Sequence, residues 1–370
     1  MIRWREGRVT AQVRSWDGAL EVEVDVQEAD GTPWRTCRAL AYPALVGAPE
    51  AGDLVLLNTT ALERGLGTGG YALVVAVPER LPGPRPAGPG HMVKGRYTPL
   101  QAMVLGVDEQ ESPHHEVLRD ADDLHGMPVV VADLHSSLPA VLAGLRERRP
   151  DARVAYVMTD GGALPVWFSR AVDGLRTAEW VASVVTAGQS FGGDHEAVTV
   201  HTALLAARHV VRADVAVVVQ GPGNLGTGTR WGFSGVAAGE ALNAAAVLGG
   251  RPVATLRVSG ADARARHLGV SHHSLTAYGR VALAPADVVV PVLTGDLAAL
   301  GATVREQAAA LGPPHGRHRL VEVGVEGLRE ALATSPVGLS TMGRGLDADP
   351  AAFLAAAAAG RHAAALLDAP

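Results

Sequence analysis

The sequence predicts an α/β protein in two parts, a small antiparallel β-barrel followed by a doubly wound, mostly parallel (Rossmann-like) α/β domain. Three observations predict it. Residues 8–78 alternate polar and apolar with period two in several short runs. A Pro/Gly-rich stretch, residues 78–90, can be neither helix nor strand. From Pro128 onward, short β-branched runs alternate with helix-length amphipathic segments, the pattern of βαβ units in a sheet covered on both faces. The boundaries that follow are residues 1–80 for the barrel, 81–127 for a linker and crossover segment, 128–345 for the α/β domain and 346–370 for a C-terminal helix.

In the first part the period-two runs are Arg8–Arg14, Leu20–Gln27, Trp34–Tyr42, Asp53–Asn58 and Tyr71–Val77, separated by turn signals at Asp30-Gly31, Gly52-Asp53 and Gly67–Gly70. In the second, strands are expected at Pro128–Asp133, Ala152–Met158, Trp180–Thr186, Asp214–Gln220, Pro252–Val258, Asp287–Leu293 and Arg319–Val323. Helices are expected near Leu138–Arg148, Leu164–Leu175, Glu196–Val211, Ser234–Leu248, Asp296–Leu311 and Val325–Ala333. Asp349-Pro350 supplies an N-cap and a favourable first residue for an Ala-rich final helix, weakened at Gly360. Small side chains bury little surface, so that helix reads as a close-packed tail or as a homo-oligomer contact.

Composition narrows the function. Hydrophobic residues are 48% of the chain and charged ones 19%, enough for a large core. A net charge of −6 leaves no whole-molecule basic field, so nucleic acid and anionic membranes are not expected partners. Cys37 is the lone cysteine, and no secretory leader or membrane span is expected, which makes the cytoplasm the default location.

Ligands of open α/β sheets bind outside the carboxyl ends of the strands, so the loops there hold the candidates. The strongest motif is Gly221-Pro-Gly223-Asn224-Leu-Gly226-Thr227-Gly228-Thr229, directly after a strand. Its glycines let backbone amides approach an anion, and Asn224, Thr227 and Thr229 add side-chain donors. A dinucleotide reading is opposed by Pro222, by a helix starting only near Ser234, and by the lack of an acid about twenty residues on; Arg257, Arg264 and Arg266 could instead meet a 2′-phosphate. NAD(P) and a divalent metal are both open as cofactors, neither favoured.

Asp160, His195, His267 and His272 are the acid/base candidates, and His135, Asp194 and His273 could join a mixed N/O metal site. The spacing of His267, His272 and His273 is not that of two ligands on one helix face, and adjacent His272 and His273 should point apart, so that at most one is a ligand. Gly188-Gln-Ser190-Phe-Gly192 formally matches a nucleophile elbow but reads better as a tight turn into a helix capped by Asp194. His114-His115 and Asp120–Asp123 read as solvated surface. Lys94, the only lysine, reads as a docked linker strand ahead of a basic lid with Arg96 and His91.

Six dispersed motifs, Tyr42-Pro-Ala-Leu-Val-Gly, Leu57-Asn-Thr-Thr-Ala61, Gly67-Thr-Gly-Gly-Tyr71, Arg96-Tyr-Thr-Pro-Leu-Gln101, Tyr156-Val-Met-Thr-Asp-Gly161 and Ser271-His-His273, give the chain a resemblance to a bacterial family grouped as domain of unknown function 3866. The resemblance covers most of the length and implies neither an activity nor catalytic residues. The leading expectation from the residues is therefore a small-molecule enzyme binding an anionic, phosphorylated or nucleotide-like ligand. A metal-dependent hydrolase using the His/Asp cluster and a non-catalytic sensor with the barrel as partner module are the alternatives.

Overall fold

The computed structural model describes residues 1–27, 33–67, 69–83 and 88–368. The expected Asp30-Gly31 turn, Thr68 in the Gly67–Gly70 turn and part of the Pro/Gly stretch lie outside the described residues. The chain divides into two compact units, residues 1–89 with 93–103, and residues 90–92 with 104–370.

The first unit is a closed barrel of β1 (Trp4–Trp16), β2 (Ala19–Gln27), β3 (Pro33–Ala41), β4 (Leu54–Asn58) and β5 (Ala72–Ala76) in the order β1-β2-β3-β5-β4. All five are expected from the period-two runs. The all-antiparallel expectation fails at one pair, because β3 and β5 run parallel. Parity requires this: strand directions cannot alternate all the way round a closed ring of five. Short helical turns α1 (Pro43–Val46) and α2 (Thr60–Glu63) flank β4. Inward positions such as Val22, Val24, Val55 and Leu57 are fully buried, as alternate residues of a closed barrel must be. A short pair, β6 (Met92–Lys94) and β7 (Ala102–Val104), follows, with Lys94 buried.

In the second unit α3 (His115–Leu118) leads into β8 (Pro128–Val131), α4 (Leu138–Arg146), β9 (Val154–Thr159), α5 (Arg170–Thr177), β10 (Ser183–Ala187), β11 (His195–Ala197), α6 (Val200–His209) and β12 (Val215–Gln220). Then come α7 (Ala237–Val247), β13 (Arg251–Thr255), the hairpin β14 (Val258–Ser259) and β15 (Gly269–Val270), α8 (His272–Thr276), β16 (Asp287–Val292), α9 (Ala298–Ala308), β17 (Arg319–Gly324), α10 (Leu328–Ala333), the hairpin β18 (Ser340–Thr341) and β19 (Arg344–Gly345), and α11 (Pro350–Leu367). Eight of these strands form one parallel sheet in the order β11-β10-β9-β12-β8-β13-β16-β17.

That order makes the sheet doubly wound. Crossovers from β8 to β9 and β9 to β10 run toward the β11 edge, and those from β12 to β13 to β16 to β17 run the other way. Right-handed crossovers then put α4 and α5 on one face and α6, α7 and α9 on the other. Helix α11 returns to the first face, packing on α4 and over β8, β13, β16 and β17. It belongs to the second unit rather than standing apart. Among the described residues it alone is long and apolar enough to cross a bilayer, yet its side chains from Ala355 to Ala364 are all buried inside the unit.

Three local expectations need correction. His195 does not open a helix capped by Asp194; residues 195–197 form edge strand β11, and α6 starts at Val200, where Thr199 Oγ1 accepts the Thr202 amide at 3.2 Å. Helix α5 begins at Arg170, not Leu164, with Ser169 as its cap, because Pro165 and Phe191 are engaged in a strand-like bridge. Asp349 stands at the start of α11 without capping it. Its carboxylate instead accepts from Ser259 Oγ at 2.5 Å, the Gly260 amide at 2.9 Å and Arg344 Nε at 3.2 Å.

Candidate functional site

Neighbouring strands whose following connections diverge leave a crevice at their carboxyl ends. This sheet has two such places, between β9 and β12 and between β8 and β13. At the first, the loops after β9 and β12 touch through backbone. A Cβ on Gly221 would lie 2.3 Å from Ala163 O, and one on Gly162 only 2.2 Å from Gly221 O. Glycine at 221 is thus fixed by loop packing.

The rest of that motif folds on itself. Thr227 donates its amide to Gly232 O at 2.7 Å, Leu225 donates to Ser234 Oγ at 3.2 Å, Gly226 bridges Phe233, and Thr227 and Thr229 hydroxyls lie 3.2 Å apart. Asn224 Oδ1 accepts from Ser234 Oγ at 2.8 Å. Gly223 and Gly228 hold φ of +92° and +80°, the left-handed region that glycine enters without strain. Gly223 and Asn224 line a cleft of about 270 Å³ with Leu134, His135, Ser136 and Met342. Gly228 faces Arg266, whose Nη2 would lie 3.9 Å from a Cβ there.

At the second crevice, β14 and β15 form a hairpin that carries the chain out from β13 and back to α8. His267 stands at the returning turn and His272 and His273 open α8, whose cap Ser271 accepts the His273 amide at 3.2 Å. The three rings converge, with centroids 4.5 to 5.0 Å apart, and one nitrogen from each lies within 4.8 Å of the others. Both His272 and His273 therefore face His267, contrary to the expectation that the two point apart. The hairpin returns His267 over the helix start, where consecutive residues are only about 100° apart around the axis. Phe233, which closes the Gly221–Thr229 loop, stacks on His273 at 3.7 Å, so the loop and the histidines adjoin.

Asp133 follows β8 and is 3% exposed, with Oδ2 3.6 Å from both Arg257 Nη1 and His273 Nδ1. Burial pushes its carboxyl up, but His273 and Arg257 outweigh that and hold it below the usual carboxylate range. Burial and then the neighbouring cations Arg257 and Arg264 push His267 down to about 3, and burial with His273 and Arg266 lowers His272. Both rings are neutral at pH 7. Asp262 is held low first by the bidentate Arg264, at 2.9 and 2.8 Å.

Four buried side-chain polar atoms among the described residues have no hydrogen-bond partner: Asp133 Oδ2, Gln220 Oε1, Thr255 Oγ1 and His272 Nε2. All four belong to the carboxyl ends of β8, β12 and β13 or to the helix that follows. Each such atom costs about 1–3 kcal/mol, which globular cores rarely accept without a functional reason.

A family model described as a protein of unknown function (DUF3866) matches residues 38–360. The chain belongs to the DUF3866 family. A search of curated proteins finds no match. The match leaves out β1, β2 and most of β3, and takes in β4, β5 and nearly all of the second unit of this DUF3866 chain, both crevices included.

The other sequence candidates in the DUF3866 chain lie elsewhere. His195, on β11, is five strand spacings from β13, about 24 Å at roughly 4.8 Å each, and faces His114 instead. Asp194 braces β10, accepting from the Val184 amide at 2.8 Å and pairing with Arg176 at 2.5 Å. Asp160 accepts the Gln189 amide at 2.8 Å and holds the loop after β10. Both ring nitrogens of His135 are engaged, with Tyr156 OH at 3.1 Å and Ser169 Oγ at 2.7 Å, which removes it from any metal set. Ser190 is fully buried with Oγ bonded to Met158 O and Ala187 O, whereas an elbow nucleophile must be exposed. Sequence reasoning gives no role to Asp133, Ser271, Phe233 or Gln220, although Gln220 adjoins the glycine motif and Ser271 the paired histidines. The available signal was an acid ending an otherwise apolar strand, Pro128–Asp133.

Proposed function

We propose that the larger unit is a cytoplasmic small-molecule enzyme that binds an anionic, phosphate-bearing or nucleotide-like ligand between the Gly221–Gly228 loop and the histidine cluster. The observation that carries this reading is Arg266. It is exposed, has no hydrogen bond or ion pair with any described residue, and lies beside Gly228, where the lack of a side chain leaves room for a ligand. Arg257 and Arg264 stand close enough to act on the same histidines, and Asp133 and Asp262 are the carboxylates that answer them. The field at this edge favours an anion, and a guanidinium suits a phosphate because its planar fork donates two parallel bonds.

The test is a thermal-shift and calorimetric titration at low ionic strength with pyrophosphate, nucleotides and sugar phosphates. A ligand that binds only the native state raises the melting temperature. Arg266→Gln should weaken that ligand about tenfold or more, as expected for one charge-assisted bond, without lowering the melting temperature of the free protein. Failure of every anion to bind at millimolar concentration, or equal affinity in Arg266→Gln, would overturn the reading.

A further inference from the structure

We infer that His267, His272 and His273 form a site for one borderline transition-metal dication, zinc-like in its preferences, with a fourth position open. The inference goes beyond anion binding and stands on different atoms. Each ring offers one nitrogen, and the three lie within 4.8 Å of one another. A tetrahedral zinc holds its nitrogens about 3.3 Å apart, so the rings need to close by at most about 1.5 Å.

The outer faces of two rings already have partners. His267 Nδ1 is 2.7 Å from Ser271 Oγ, and His273 Nδ1 is 3.6 Å from Asp133 Oδ2. An imidazole that donates Nδ1–H outward presents its Nε2 lone pair, and a carboxylate behind it fixes both tautomer and orientation. His272 Nε2 and Asp133 Oδ2 are buried without hydrogen-bond partners, and one cation would answer both. It would coordinate the nitrogen directly and commit His273 Nδ1–H to the carboxylate. Arg257 Nη1, now 3.0 Å from His273 Nδ1, would then move onto Asp133.

Three imidazoles with no thiolate select zinc, cobalt, nickel or copper over magnesium or calcium, which take oxygen ligands. Arg257, Arg264 and Arg266 oppose a cation here; Asp133 and Asp262 answer Arg257 and Arg264, which leaves Arg266. The same arginines favour an anionic group in the fourth position. The cap at Ser271 and the stacked Phe233 hold the ligands on fixed backbone.

The experiment is titration of chelator-stripped full-length protein with cobalt(II), read by ligand-field absorption, followed by displacement with zinc and metal analysis of the dialysed protein. One cobalt per chain, displaced by zinc, is expected. His272→Ala and His267→Ala should each lower affinity at least about 100-fold, Asp133→Asn about 10- to 100-fold, and His195→Gln should leave it unchanged. Folded wild-type protein that takes up no cobalt overturns the inference whatever the variants do, as does uptake unaltered by His272→Ala. Metal uptake without pyrophosphate binding supports this site and removes the anion reading. Pyrophosphate binding by protein that takes up no metal does the reverse.

Discussion

His135 illustrates how a single buried residue sets the response to acid. Its ring is bonded to Tyr156 OH and Ser169 Oγ, and burial pushes it down to about 4, the backbone of Gln220 opposing only in part. The unfolded chain binds a proton at this residue near pH 6.5 and the folded chain does not until about pH 4. Its stabilising contribution is therefore complete above pH 6.5 and is lost as pH falls toward 4, at about 1.4 kcal/mol per pH unit. Denaturant unfolding at pH 7.0 and 4.5 should show wild type losing about 2 kcal/mol more than His135→Gln; equal losses would contradict the assignment. The same residue shows why residue roles were only partly legible. A histidine after a strand is equally a ligand or a core hydrogen-bonder, and only Ser169, 34 positions away, decides it. Asp133 was hidden for the opposite reason, since an acid at a strand end reads as an ordinary helix cap and its partners Arg257 and His273 come from the next crossover but three.

Among elements, α4 and α11 meet backbone to backbone. A Cβ on Gly144 would sit 1.9 Å from Ala357 O, and one on Gly360 1.9 Å from Val141 O. Gly360 reads in sequence as a weak point of the last helix, but it is where α4 crosses it. Gly144→Ala should cost at least about 2 kcal/mol of unfolding free energy, because backbone must move to admit the methyl group. A loss under about 0.5 kcal/mol in chemical denaturation would show that the helices separate easily. Element type was legible wherever periodicity was long: all five barrel strands and all seven expected sheet strands are present. It failed at β11, whose three residues are too few to carry a period, and whose strand character comes from the parallel pairing of His195 with Val185. Likewise, the parallel β3–β5 pair follows from ring closure, a global property absent from any local window.

At the scale of the whole molecule, the barrel and the sheet unit each have their own core. On the outer face of β2, alternating with the inward Val22 and Val24, Glu21 is nevertheless 1% exposed and takes a hydrogen bond from Tyr71 OH at 2.9 Å. In the sheet unit, α11 is the cover for β8, β13, β16 and β17, so a chain ending at residue 349 should fail to form that unit. Lost tertiary circular dichroism and bound hydrophobic dye would report it, and retained cooperative unfolding would refute it. The architecture was legible because alternating strands and helices admit few layered arrangements. The insertion of β12 between β9 and β8, which creates the two crevices, was not, since strand order depends on which crossover returns over the sheet.

The position of α11 in the chain also dictates a schedule of synthesis. The barrel's pairings all lie within the first 76 residues, so it can close while most of the protein is still being translated. The sheet unit has no such freedom: one apolar face of β8 waits for a helix more than 200 residues downstream. Until that helix leaves the ribosome, the nascent chain presents an uncovered parallel sheet, the slow-forming and aggregation-prone kind, so the sheet unit can be complete only after α11 has been made.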